Sequence, residues 1–328
     1  MPYHFSAATW TPQHTSTSAF AVGGFAWPRN QLLRTHSICR RALPARRKRI
    51  PCVRNSVPLS TAGSTQPEPS PVSDAECVAA PLDIIALQEN WVAVNKPPSM
   101  LVHRTKLYHA RPRETYVVDE VRKRVGEIRG LPTAVLPVQR LDRPTSGAMV
   151  FALGDSKKAS QLQHALQSEH SRKEYWAIAF GAEMPQKWEN HHSLRDLTGK
   201  TRKERSASSM FEQLLRLDES DLSVVRATLA TGRRHQIRRH LSYSRHAILG
   251  DTSYAKGTQN RFVREHFGVT RCCLHSRRLS FTDPENGTQI NLEAPVPQDL
   301  RDVLARASEC EQHHDITLDL GNLAEDTR

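Results

Sequence analysis

No acidic residue occurs before Glu68, and this one feature sets how much of the 328-residue chain can fold around a core. The same stretch is rich in Ser, Thr, Arg and Pro and carries a cationic run from Arg40 to Arg49. A segment so one-sided in charge, and without periodic apolar residues, cannot bury enough surface to offset the ordering of its own backbone. Acid-poor, Ser-rich and Arg-rich is instead the composition of a cleavable organelle transit peptide, plastid or mitochondrial. A basic tail that holds a polyanion, or a nuclear-import run on a protein of nucleus and cytoplasm, is the other reading of these residues. Residues 61–80 read as a Pro-, Ser- and Thr-containing linker. Residues 1–80 are therefore expected to be a disordered extension and 81–328 the folded body, with the tail after about 305 peripheral.

Of the net charge of +12, the extension supplies +6 through nine Arg/Lys against three acids, which leaves 37 basic and 31 acidic residues in the body. That mild excess says little by itself; what matters is where the charges cluster. No run of about eighteen uncharged apolar residues occurs, so neither a membrane-spanning helix nor a membrane partner is expected. The six cysteines lack CxxC spacing, and Cys39, Cys52 and Cys77 fall in the extension. Free thiols are expected rather than a disulfide framework or a zinc site. Cys272-Cys273 with His275 is no exception, because adjacent strand residues point to opposite faces.

Past Pro81 the pattern turns globular. Asp83–Val94 reads as a hairpin turning at Gln88-Glu89-Asn90. Residues 134–138 and 148–153 read as short apolar strands on either side of a polar loop. Asp155 is placed to cap a helix whose Ala159, Leu162 and Leu166 share a face. Further strands are expected at Tyr175–Phe180, Val224–Leu229 and Leu274–Phe281, and a short helix at Gln236–Ser244. Strands and helices alternate irregularly, without βαβ rhythm, so the class is α+β with a mixed, largely antiparallel sheet and flanking helices.

Two segments carry chemistry. In Gln139-Arg140-Leu141-Asp142-Arg143-Pro144-Thr145-Ser146-Gly147, a carboxylate stands between two arginines at a loop-to-strand junction. A cation about 4 Å away is worth roughly 4 kcal/mol at an effective dielectric of 20, which should keep Asp142 ionised. An ionised carboxylate suits nucleophilic or electrostatic work at a sugar carbon, and not general-acid work. The plain alternative is a turn whose Asp pairs structurally with arginine. In Thr231-Gly232-Arg233-Arg234-His235-Gln236-Ile237-Arg238-Arg239-His240, four arginines and two histidines fall in ten residues at the start of a helix. The histidines are five apart, off the i, i+4 spacing of a metal pair. The arginines suit phosphate at a helix N-terminus, and one could turn inward onto a carboxylate such as Asp142. A solvated charged face is the bland reading.

Together these segments resemble the RNA pseudouridine synthases of the ribosomal large-subunit pseudouridine synthase A family. Gln139–Gly147 is similar to that family's HRLDxxTSG loop, Arg172–Gly181 to its KxYxAxxxG motif, and Thr231–His240 to TGRxHQIRxH. Asn95-Lys96-Pro97, Leu101-Val102-His103 and Leu274-His275-Ser276 match its shorter elements, so the likeness covers residues 82–295. Within the family it is greatest to the tRNA-modifying branch, which acts on a T-stem uridine, on the strength of Pro137-Val138, Arg143-Pro144-Thr145 and Arg245–Asp251.

The resemblance implies a pseudouridine synthase fold with an active-site cleft, and an isomerase that converts uridine to pseudouridine in tRNA or else rRNA. It also implies a monomer that needs no metal or organic cofactor and has no DNA partner. By residue, it implies Asp142 as nucleophile at the ribose, Tyr175 stacked on the uracil, and Arg238 paired with Asp142. Leu274 would form the wall beneath the base, Arg140 would enter the space of the flipped uridine, and Arg143, Arg233, His235 and Gln236 would bind substrate. Gln139 stands where the family has His; it keeps hydrogen-bonding capacity, so activity is expected to survive. A non-catalytic RNA-binding or chaperone protein on the same fold is the competing reading. An unrelated Asp hydrolase would need a second acid or base in a recognisable setting, and the sequence offers none.

Overall fold

The computed structural model describes residues 82–104, 115–196, 203–309 and 311, so the extension and linker expected at residues 1–80 lie outside the described residues. The hairpin is present as β1 (Asp83–Leu87) and β2 (Trp91–Lys96), paired antiparallel with a bulge at Ile84/Ala86. β3 (Val135–Pro137) and β4 (Ser146–Leu153) bracket the polar loop that carries Asp142. The helix after them, α2 (Ser156–Ala165), starts where the sequence places its cap: Asp155 accepts the Lys158 N–H at 2.9 Å. The remaining expected elements appear as β5 (Arg172–Phe180), β10 (Leu222–Leu229), α3 (Gln236–Tyr243) and β11 (Leu274–Thr282).

Several elements are additions to the sequence reading. They are α1 (Val117–Arg129), β6 (Lys187–Asn190), the short pair β7 (Leu194–Arg195) and β8 (Glu204–Arg205), and β9 (Ser209–Leu217). α4 (Gly257–Phe267), β12 (Gln289–Glu293) and α5 (Gln298–Ser308) complete the set. The signal for α1 was present: Val117, Val121 and Val125 recur at four-residue spacing and are buried, and Gly130 closes the helix in the left-handed conformation. Among the described residues no helix is long and apolar enough to cross a membrane.

The main sheet runs β1-β2-β4-β11-β5-β10-β9-β6, with β3 beside β4 and β12 beside β11. Every pair is antiparallel except β4 with β11, which meet at His275↔Ser146 and Ser276↔Gly147. Gly147 makes that meeting feasible. Its φ is +111°, and a Cβ there would run into the backbone of Ser276. Alternation sends Val92, Val94, Met149 and Phe151 to one face, into a core shared with buried residues of α1, α3, α4 and α5. Trp91, Ala93, Val150 and Ala152 go to the other face, against Leu162 of α2 and Phe281. Both faces of the sheet centre are dry, which is why β4 reads as a continuous apolar run.

The packed body does not stop near residue 305. Leu300, Val303, Leu304 and Ala307 of α5 are buried, each worth about 1–3 kcal/mol of transfer free energy by side-chain size. Beyond the helix, the Glu311 carboxylate accepts the backbone N–H groups of Asp218, Glu219 and Ser220 at 3.1–3.3 Å, closing the β9–β10 turn.

Candidate active site

The start of β4, the start of β11, the middle of β5 and the N-terminus of α3 converge on one shallow cleft that opens to solvent. Parallel pairing of β4 and β11 sets the loop before Ser146 beside Leu274, and the β11–β5 register places Ser276 opposite Tyr175. The cleft is therefore lined by Asp142, Tyr175 and Leu274 from three strand regions, with Arg140, Arg233, His235 and Arg238 around them.

The cation on the Asp142 carboxylate is Arg238, whose Nη1 lies 3.1 Å from Oδ2. The inward arginine is thus the one named from the sequence. What the sequence reading missed is its other partner. Nε and Nη2 of Arg238 donate to Oδ2 and Oδ1 of Asp251 at 2.7 and 2.8 Å, so one buried guanidinium joins two carboxylates. Burial works against the charge on Arg238, but the Asp251 hydrogen bonds and the surrounding negative field outweigh it and raise its pKa. Burial likewise disfavours the Asp251 anion, yet the Arg238 hydrogen bonds and charge hold its pKa below the usual value. The available signal for Asp251 was Gly250, at φ +72°, where a Cβ would strike the Arg271 carbonyl.

Opposite Oδ1 of Asp142 stands the His235 ring, with Nε2 3.7 Å away. His235 occupies the left-handed region at φ +54°, a strained conformation for a residue with a side chain. Burial lowers its pKa, as do Arg238 and Arg234, while Asp142 pulls the other way. Tyr175 is buried against the cleft floor, and burial pushes its phenol up to about 12, so the ring stays neutral at physiological pH.

Two candidates play other parts. Gln236 touches the cleft, but its amide is fully committed to the protein. Oε1 accepts from Thr231 Oγ1 and Arg233 N, and Nε2 donates to Ser208 O and Ser209 Oγ. No donor or acceptor is left for a substrate, so Gln236 closes the Thr231–Gln236 loop instead. Arg143 lies outside the cleft lining; its Nε donates to the Ser99 carbonyl at 2.9 Å. Gln139 is also outside the lining, with a buried Nε2 that finds no partner among the described residues.

Behind the loop sit two buried cations that the sequence reading did not assign. Lys96 Nζ donates to the carbonyls of Pro97 and Arg143, and Arg271 donates to those of Pro144 and Leu274 while pairing with Asp299. Burial, reinforced by Arg271, pulls the Lys96 ammonium down to about 7. Cys272 and Cys273 are free, buried thiols. His275 is occupied on both ring nitrogens, by Ser146 Oγ and the Ala294 carbonyl.

The family model described as RNA pseudouridylate synthase matches residues 90–243, a stretch that holds Asp142, Tyr175 and Arg238. The chain is 34% identical over 239 residues to the tRNA pseudouridine synthase C of Pasteurella multocida, covering 68% of this chain and 95% of that protein. The chain belongs to the RNA pseudouridine synthases. It is 36% identical over 220 residues to the tRNA pseudouridine synthase C of Vibrio cholerae, covering 62% of this chain and 86% of the relative. Among solved structures, human RNA pseudouridylate synthase domain containing 4 superposes with a TM-score of 0.57 at 22% identity, over 69% of this chain and 92% of that one. This likeness is one of fold: the mixed, mostly antiparallel sheet with flanking helices is the pseudouridine synthase fold. As a member, the protein is an isomerase that acts on RNA, and the arginines around its cleft suit a polyanion.

Proposed function

We propose that this pseudouridine synthase isomerises one uridine of tRNA, with Asp142 acting on the ribose. The observation that carries the reading is the Asp142 carboxylate itself. One oxygen is tied to Arg238, the other is free of any hydrogen bond within 3.5 Å among the described residues, and both stand at the floor of the cleft. The reaction breaks the bond from C1′ to N1, makes one from C1′ to C5, moves a proton off C5 and returns one to N1. A fixed, charged carboxylate lowers the cost of the ribose intermediate, either by bonding C1′ or by taking a ribose proton. Tyr175 and Leu274 supply a dry surface for a flipped uracil, and Arg140, exposed at the rim, is placed to fill the gap left in the stack. Arg233 and His235 complete the wall on the α3 side. The tRNA assignment is supported by relatives named as tRNA pseudouridine synthases C; a ribosomal uridine is the other outcome.

The test is pseudouridine mapping of tRNA and rRNA in cells lacking the protein, complemented with wild type or Asp142→Asn. One uridine should lose its modification and regain it only with wild type. Restoration by the Asn variant overturns the role of Asp142, and loss confined to rRNA overturns the tRNA assignment. We also assign residues 1–80 the role of an organelle-targeting extension, on composition alone. A fluorescent fusion of that segment should enter plastids or mitochondria; nuclear or cytoplasmic signal overturns it.

A further inference from the structure

Arg238 bonds one oxygen of Asp142 and the His235 ring faces the other, and both residues meet a third that does not line the cleft. Tyr254 lies in the loop after Asp251, with its hydroxyl 3.0 Å from Nδ1 of His235. Its ring face stands 5.2 Å from the guanidinium carbon of Arg238. The residue is itself locked: its N–H donates to Asp251 Oδ1 at 3.2 Å, and its carbonyl accepts from Ser242 Oγ at 3.1 Å.

The charges around His235 decide its tautomer. It faces Asp142 from the loop before β4, Arg238 from α3, Arg234 from its own loop, and Asp251 and Tyr254 from the loop after α3. Were the proton on Nδ1, the Nε2 lone pair would point at the Asp142 carboxylate 3.7 Å away, an unfavourable arrangement. With the proton on Nε2, the ring offers that carboxylate the positive end of an N–H dipole and presents Nδ1 as an acceptor. The Tyr254 hydroxyl then has one place to donate.

The geometry points to Tyr254 as a positioning residue for the isomerisation. Its hydroxyl holds His235 with Nε2–H toward Oδ1 of Asp142, and its ring keeps Arg238 on Oδ2. The carboxylate is thereby oriented without a strong hydrogen bond on the oxygen nearer His235, which stays open toward the ribose. The strained backbone of His235 fits this role, since an ordinary helical residue at that point would aim its ring elsewhere.

This inference rests on the role proposed for Asp142, and the experiment separates the two. Full-length protein is assayed by tritium release from C5-labelled uridine in tRNA, comparing wild type, Asp142→Asn, Tyr254→Phe, His235→Ala and the double variant. The Phe variant keeps the ring over Arg238 and loses only the hydroxyl. Its kcat should fall about tenfold with KM nearly unchanged, the scale seen when a supporting partner of a reacting group is removed. The acid limb of its pH profile should move to higher pH, because Nδ1 without a donor takes a proton more readily. Adding Tyr254→Phe to His235→Ala should change nothing further. An unaltered kcat and pH profile, a loss carried wholly by KM, or additive losses in the double variant overturn the inference. Nitrogen NMR of the imidazole in wild type reads the tautomer independently of any variant's folding: Nε2–H is expected, and Nδ1–H refutes it. If Asp142→Asn stays active, the catalytic reading has failed; if it is dead while Tyr254→Phe behaves as wild type, this inference alone has failed.

Discussion

Nη1 of Arg238 reaches Oδ2 of Asp142 at 3.1 Å, although 96 residues separate the two along the chain. The bond is kept in place from behind by Asp251, which is fully buried and has a salt bridge to Arg238. Asp251→Asn should therefore weaken both fold and activity. Removing one partner of a buried pair costs about 3–5 kcal/mol, and Arg238 loses its anchor for reaching Asp142. Asp142→Asn, at a site open to the cleft, should abolish product formation while costing about 1 kcal/mol or less. Urea denaturation beside single-turnover assays checks the contrast.

Lys96 makes stability depend on pH in a stated direction. In the fold its ammonium titrates at about 7, whereas in the unfolded chain it keeps its ordinary value of 10.5. Between these values the unfolded chain binds the extra proton, so stability rises with pH across that window, by up to about 1.4 kcal/mol per unit. Below about 7 both states are protonated and the fold carries the whole cost of the buried charge. Lys96→Met should flatten the slope of urea stability from about pH 7.5 to about pH 9, and an unchanged slope contradicts the assignment.

Gln236 and Arg140 both line the cleft and should fail in different ways. Gln236→Ala strips four hydrogen bonds, one buried and three part-buried, and should cost about 2–4 kcal/mol of stability. Arg140→Ala touches only an exposed side chain, so stability should stay within about 0.5 kcal/mol. If Arg140 meets a phosphate, RNA affinity falls and the salt-dependence slope drops by roughly 0.7–0.9. If it enters the base stack instead, the slope stays and kcat falls.

The tail provides a fourth check. A chain ending after residue 311 keeps Ala307 in the core and the Glu311 carboxylate on the β9–β10 turn. A chain ending at residue 305 loses both and should be less stable by about 2–4 kcal/mol. Equal melting of the two would mean that the tail is peripheral after all.

Much of this protein is written locally. A short apolar run marks β2, two-residue alternation marks β5, an Asp three residues before the N–H it accepts marks α2, and the likeness of Gln139–Gly147, Arg172–Gly181 and Thr231–His240 to family motifs points to the site. Such features depend on backbone geometry and neighbouring side chains, so they survive being read in one dimension. Partnership does not. The sequence sets Arg140 and Arg143 beside Asp142 along the chain, and only the family likeness implies Arg238 as its partner; the tertiary structure turns Arg143 toward Ser99 and puts Arg238 on the carboxylate. It alone saturates Gln236 and sets Asp251 and Tyr254 behind the Asp142–Arg238 pair. The physical reason is that a buried polar group takes whichever partner the packed strands and helices carry to within about 3 Å, and chain separation has no part in that choice.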